Sequence, residues 1–223
     1  VVLSIMKAVS ARNQNLRTLV AAVAVLALVT ITAAAGGGEH VSGTRVLVIG
    51  DSILNFSQTE VSNALAGAGW QAVVDGRSGS TIEGWDAAVG PDASLARPDV
   101  AVVELGTNDC NNPCDDLSSA IDGIVEQLID HGAGAVLWLN VQTVRSPPIP
   151  GAPLYPVHAD YVNYAIEQAA VRWPEMQVVD FSSVFAAHPE WHLADGLHPN
   201  ALGSQALAFL ISATLHQWLP GAH

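Results

Sequence analysis

The chain is poor in positive charge and in sulfur. Eight Lys and Arg face 21 Asp and Glu among 223 residues, a net charge of −13. Such a surface repels phosphate, which excludes a basic nucleic-acid reader and argues against binding to anionic lipid. Acids are themselves missing from the first 38 residues, where Lys7, Arg12 and Arg17 stand alone. There are only two cysteines, Cys110 and Cys114, in the segment CNNPC. Two thiols are too few for a metal site, and three intervening residues do not match a redox pair. A small-loop disulfide is the expectation, provided the protein works outside a reducing compartment. Charged residues make up 13% and aromatics 6%, whereas half the chain is hydrophobic, enough for one good core and too little chain for two.

The charge asymmetry at the start has the form of a targeting segment. An uncharged run from Leu19 to Ile31 follows Arg17 and ends in Thr32, Ala33, Ala34, Ala35 and three glycines. That order, a basic stretch, an apolar stretch and small residues, predicts export with cleavage near Ala35. The alternative is an uncleaved anchor making membrane contact through residues 18–35, which just reach the length of a spanning helix. The organisation expected is therefore a signal peptide or anchor over 1–35, a linker over 36–44 and one domain over 45–220. Without residues 1–35 the chain keeps five arginines, no lysine and all 21 acids.

From Arg45 onward short β-branched runs alternate with helical patterns, and no internal repeat is present. The runs are Arg45 to Ile49, Gln71 to Val74, Val100 to Leu105, Ala135 to Leu139 and Gln177 to Val179. Several are apolar at nearly every position, as strands covered on both faces are. Helical spacing runs over Thr59 to Ala68, Leu117 to His131 and His158 to Trp173, and a last helix follows Pro199 with Leu202, Leu207, Leu210, Ile211 and Leu215 on one face. The pattern predicts an α/β fold, a three-layer α/β/α sandwich around a mostly parallel five-stranded sheet. Asn140 to Val157 is long, carries five prolines and has no periodicity, so it is either a functional lid or an inert surface loop.

In open α/β sheets ligands bind beyond the carboxyl ends of the strands. The residues there are Gly50-Asp51-Ser52, then Asp75 to Gly79, then Gly106-Thr107-Asn108-Asp109, and finally Asp195-Gly196-Leu197-His198-Pro199. These are the parts of serine acyl transfer. A hydroxyl becomes a nucleophile when an imidazole takes its proton, and a carboxylate holds that imidazole in the right tautomer. Ser52 is the candidate nucleophile, His198 the base and Asp195, three residues before it, the orienting acid. Charge on the substrate oxygen needs fixed donors, which the Ser52 amide, the Gly79 amide and the Asn108 side chain can supply.

The four blocks in this order and spacing resemble the SGNH hydrolases, also called GDSL-like lipases or esterases, over about Arg45 to Trp218. The resemblance implies a flavodoxin-like sheet, catalytic Ser52, Asp195 and His198, an oxyanion hole from Ser52, Gly79 and Asn108, and no metal or organic cofactor. Gly76 competes with Gly79 for the second block, although Ser78-Gly79-Ser80-Thr81 fits it better. The expected function is an exported serine esterase acting on an ester-bearing small molecule, glycan or lipid. The absence of a long apolar cap tilts it toward short acyl groups or acylated glycans. Three alternatives stand beside it: an acyltransferase with the same site, a silent glycan-binding module, and a metal-dependent phosphoesterase using Asp51, Asp109, Asp195 and His198. Trp85, Trp191 and His192 are further candidates for substrate contact, and Arg77 and Arg145 for an anion or a salt bridge.

Overall fold

The computed structural model describes residues 43–111, 115–145 and 158–219. The expected leader over 1–35, Cys114, and the prolines at 147, 148, 150, 153 and 156 all lie outside them. Five strands form the sheet: β1 (Arg45–Gly50), β2 (Gln71–Gly76), β3 (Val100–Glu104), β4 (Val136–Leu139) and β5 (Met176–Val179). The helices are α1 (Ser52–Gly67), α2 (Ile82–Ala96), α3 (Leu117–Asp130), α4 (Ala159–Arg172), α5 (Phe181–Ala186) and α6 (Ala201–Trp218). The order across the sheet is β2-β1-β3-β4-β5, with every pair parallel.

Strand periodicity explains the three layers. Val46 and Val48 point to one face of β1, Leu47 and Ile49 to the other. The first face packs with Ile53, Leu54, Val61 and Leu65 of α1 and with Leu207, Ile211 and Leu215 of α6. The second packs with Trp85 and Val89 of α2, Ile121, Val125 and Leu128 of α3, and Val162 and Ile166 of α4. Trp138 on β4 is fully buried in that second layer and its indole donates to the Leu105 carbonyl at 3.1 Å. Removing its ring would cost about 3 to 5 kcal/mol.

Several elements differ from the expectation, each for a local reason. Helix α1 begins at Ser52, seven residues before the apolar spacing becomes regular, because Asp51 caps it by accepting from the Ile53 amide at 3.0 Å. Helix α2 was not expected at all. Gly84, Gly90 and Pro91 dilute its pattern, yet Thr81 caps its start and Ile82, Trp85, Val89 and Ala93 bury one stripe. In α6 the buried stripe is Leu207, Ala208, Ile211 and Leu215, while Leu202 is exposed. Pro199 lies before that helix, whose cap is Asn200, accepting from the Leu202 and Gly203 amides.

The register positions the site. Gly50 pairs with Gly76 on one side and Glu104 on the other. The loops after β1, β2 and β3 therefore leave the sheet at one level and side by side.

Candidate active site

Ser52 is the first residue of α1 and follows β1 after a single residue. Its amide consequently points out of the helix start, where backbone N–H groups have no intrahelical partner. The Asp51 amide next to it is pinned to the Glu104 carbonyl at 3.0 Å, which fastens the turn to the neighbouring strand. Ser52 Oγ lies 2.9 Å from His198 Nε2. His198 Nδ1 lies 2.7 Å from Asp195 Oδ2. An ionised Asp195 only accepts, so Nδ1 carries the hydrogen and the Nε2 lone pair faces the serine hydroxyl.

Asp195 and His198 meet through a turn and not through a helix. Asp195 Oδ1 accepts from the Leu197 amide at 2.9 Å and the His198 amide at 3.0 Å, which leaves Oδ2 for the ring. Burial raises the Asp195 carboxyl, but the bonds from the His198 ring and the two amides outweigh it and hold the group below its ordinary value. Arg145 donates to the Asp195 backbone carbonyl and braces the same turn. The Phe56 ring, one helical turn after Ser52, lies 5.0 Å from the His198 ring and is half exposed.

The second and third loops are tied to each other. Asn108 Nδ2 donates to the Ser80 carbonyl at 2.8 Å, using one of its two hydrogens. Asp109, buried, accepts from the Ile82 amide through both oxygens, at 3.3 and 3.1 Å. Ser80 Oγ accepts from the Trp85 indole at 2.9 Å and donates to the Arg77 carbonyl at 2.7 Å. Gly79 sits in this bracing with φ +80°, and a Cβ there would meet nothing within 4 Å. The rival Gly76 has another role. Its amide donates to Gln58 Oε1 at 3.1 Å, and a Cβ on it would come within 2.4 Å of the Asn55 backbone nitrogen. Gly76 is a packing glycine, whereas Gly79 faces open space beside the serine loop's neighbour.

The remaining candidates separate clearly. Trp85 is fully buried and His192 nearly so, which removes both from direct substrate contact. His192 accepts at Nε2 from Gln142 at 3.1 Å and bonds the His188 carbonyl through Nδ1 at 3.2 Å. Burial lowers its pKa below the ordinary imidazole value. Trp191 stacks on His188 with ring centres 3.7 Å apart. Arg77 pairs with Asp75 and Asp92 at 2.5 and 2.8 Å and lies over the Trp85 ring. Cys110 is a free, buried thiol bonded to the Gly106 carbonyl at 3.2 Å, so the expected bridge to Cys114 is not seen, and Cys114 lies outside the described residues. Among the described residues no three His, Cys, Asp or Glu side chains are grouped to hold a metal ion. A shallow hollow lined by Arg45, Arg97 and His131 lies at the opposite, amino-terminal edge of the sheet.

Sequence reasoning overlooked Glu104, Phe56 and Ser80. Glu104 had a visible signal, an acid inside the apolar run Val100 to Leu105. Ser80 braces the loop through both its carbonyl and its hydroxyl, pairings that no sequence pattern reports.

The sequence profile of the GDSL-like lipase/acylhydrolase family matches residues 48–206. The chain belongs to that family. Among curated relatives, the O-acetyltransferase OatA of Staphylococcus aureus is 26% identical over 187 residues, covering 81% of this chain and 26% of that protein. The chain thus spans about a quarter of the length of the curated relatives it matches. Solved structures of similar fold include a lipase/acylhydrolase from Enterococcus faecalis, with a TM-score of 0.63 at 18% identity over 79% of this chain and 97% of that one. An acetylxylan esterase from Geobacillus stearothermophilus gives 0.62 at 19% identity over 76% and 93%. The catalytic domain of the Streptococcus pneumoniae peptidoglycan O-acetyltransferase A, bearing a methylsulfonyl adduct, gives 0.61 at 18% identity over 78% and 94%. At such identities these likenesses establish the α/β fold of the family. Among the described residues no helix is long and apolar enough to cross a membrane.

Proposed function

We propose that the chain is a serine esterase of the GDSL-like family that cleaves carboxylic esters through an acyl-enzyme. The observation that carries this reading is the continuous line Asp195 Oδ2, His198, Ser52 Oγ, with both steps at hydrogen-bond length. Ser52 gives its proton to His198 Nε2 and attacks the ester carbonyl. The imidazolium is held by Asp195 and then protonates the departing alcohol. The oxyanion is stabilised by the Ser52 amide at the start of α1, the Gly79 amide and the second Asn108 hydrogen, a set worth about 3 to 4 kcal/mol of barrier per donor. Water, deprotonated by the same imidazole, releases the acid and restores Ser52. No cofactor enters these steps.

The departing alcohol must pass beside His198 Nε2, which is where the exposed Phe56 ring lies. An alcohol with an apolar face, such as a sugar ring, suits that surface, and acylated glycans are the substrate class we favour. A site outside the cytoplasm follows from the pattern of residues 1–35 and agrees with a relative named as a peptidoglycan O-acetyltransferase. That likeness also favours a second reading, in which an acceptor hydroxyl takes the place of water and the acyl group is transferred. The deciding experiment incubates the protein with an O-acetylated oligosaccharide, with and without an acceptor glycan. Free acetate in both supports the esterase, and acetylated acceptor supports the transferase. Neither product from a folded sample defeats both and leaves a glycan-binding module.

A further inference from the structure

Two carboxyl groups that the reaction above does not use lie directly beneath the serine. Asp51 is fully buried and Glu104 is 2% exposed. Glu104 Oε2 accepts from the Leu54 amide at 3.1 Å and, more weakly, from the Asp51 amide at 3.4 Å, so it grips the first turn of α1 on both sides of Ser52. Asp51 Oδ1 accepts from the Ile53 amide at 3.0 Å. Its other oxygen, Oδ2, is sealed from solvent and accepts from no N–H or hydroxyl among the described residues. The Glu104 side chain lies within hydrogen-bond reach of the Asp51 carboxyl. A buried oxygen without a donor costs free energy, and two adjacent buried carboxylates without a cation cost far more. Both costs vanish if one carboxyl keeps its proton and donates it to the other.

We propose that Asp51 and Glu104 share one proton, Glu104 donating its O–H to the Asp51 carboxylate, and that Glu104 is a positioning residue holding Ser52 and its amide in place. The pair carries a single negative charge. Asp51, which also caps the helix through Ile53, keeps that charge because a carboxylate at a helix start is favoured by the backbone dipoles. Burial pushes the Glu104 carboxyl well above the ordinary range and that of Asp51 up to about 6, in agreement with this division. The other titratable groups that face the pair are His198, on the loop before α6, and Asp109 and Cys110, after β3. Asp109 adds repulsion and His198 relieves it.

The sign of the pH dependence follows. A carboxyl whose proton is held more tightly in the folded state stabilises the fold at low pH, and that contribution is lost as pH rises past the unfolded value of about 4 toward the folded one. Glu104→Gln keeps an acceptor for the Leu54 and Asp51 amides and a permanent donor for Asp51, but has nothing to lose at alkaline pH. Glu104→Leu keeps neither.

Three readouts on the intact protein test this. Infrared difference spectra of the wild type at pH 7 should show the carbonyl band of a protonated carboxylic acid that Glu104→Gln lacks; a wild type without the band overturns the proposal. Tm of the wild type should fall relative to Glu104→Gln between pH 5 and 9, whereas parallel curves would mean Glu104 is already ionised. On ester substrate, kcat of Glu104→Leu should drop by tenfold or more with KM little changed, and Glu104→Gln should restore it to within about threefold, since small misplacements of a nucleophile are costly. Equal losses in the two variants would refute the positioning role. The kinetic arm rests on the esterase reading, but the spectra and Tm curves do not, so a failed assay of the wild type and a failed proton-sharing pair are told apart. Should Glu104→Gln not fold, the wild-type spectrum alone decides the shared proton.

Discussion

Replacing Asp195 by Asn changes one atom and tests the proposed orientation of the base. In the structure Asp195 Oδ1 already accepts from two backbone amides, at 2.9 and 3.0 Å. An Asn here must keep its oxygen on those amides, because its NH2 group cannot accept from them. The NH2 is then forced toward His198 Nδ1, 2.7 Å from the atom it replaces. Nδ1 becomes the acceptor and the hydrogen moves to Nε2, which faces the serine hydroxyl. Nε2–H then donates to the serine oxygen across the 2.9 Å gap, so the ring has no lone pair there and cannot take the Ser52 proton. The expected loss is about 10⁴-fold in kcat, or roughly 5 kcal/mol of barrier, as for a base held in the wrong tautomer. Because the turn keeps its two backbone bonds, Tm should move little. Asp195→Ala, by contrast, loses those bonds and should lower Tm as well. The assay is p-nitrophenyl acetate hydrolysis across pH, with Tm measured on the same samples. A loss in kcat of less than tenfold for Asp195→Asn, or a loss confined to KM, would refute the reasoning.

Other outcomes follow from the same geometry. Gly76→Ala forces a Cβ against the Asn55 backbone, 2.4 Å away, and should cost about 1 to 3 kcal/mol by overpacking, read as a lower denaturation midpoint. Gly79→Ala meets no atom within 4 Å but must hold φ +80°, a strain of about 1 to 2 kcal/mol, so it should fold and lose activity more than stability. Phe56→Ala should reduce kcat/KM for glycan or aryl esters by several-fold, at about 0.5 to 1.5 kcal/mol for a lost ring contact, while sparing small alkyl esters. Burial pushes the Cys110 thiol up to about 12, so iodoacetamide at pH 8 should leave it unmodified in the folded protein and label it after denaturation, as read by peptide mass.

The sheet was legible because its strands are short, largely apolar runs closed by polar loops; burial on both faces sets that pattern in the central strands β1, β3 and β4, and the edge strand β2 keeps it in weaker form. Helices α3, α4 and α6 were legible for the same kind of reason, a stripe at helical spacing. Helix α2 was hidden by Gly84, Gly90 and Pro91, whose intrinsic preferences oppose a helix that tertiary packing of Trp85 and Val89 nevertheless enforces. In the candidate site the sequence singled out the side chains that acyl transfer would need, Ser52, Asn108, Asp195 and His198, and the structure brings Ser52, His198 and Asp195 into one hydrogen-bonded line. What supports those residues was not legible. Gly76 and Gly79 are told apart only by the packing around each of them, the Asn108 tether ends on a backbone carbonyl, and the link between Asp51 and Glu104 crosses 53 residues of chain. Such long-range pairings leave no period in the sequence.

The most direct test of the central claim is covalent labelling with a fluorophosphonate, read by intact mass and peptide mapping, on the wild type and on Ser52→Ala. The account predicts one adduct per chain, on Ser52, absent in the variant, with ester turnover lost in parallel. A folded wild type that takes no label, or takes it on another residue, would contradict the assignment of Ser52 as an activated nucleophile.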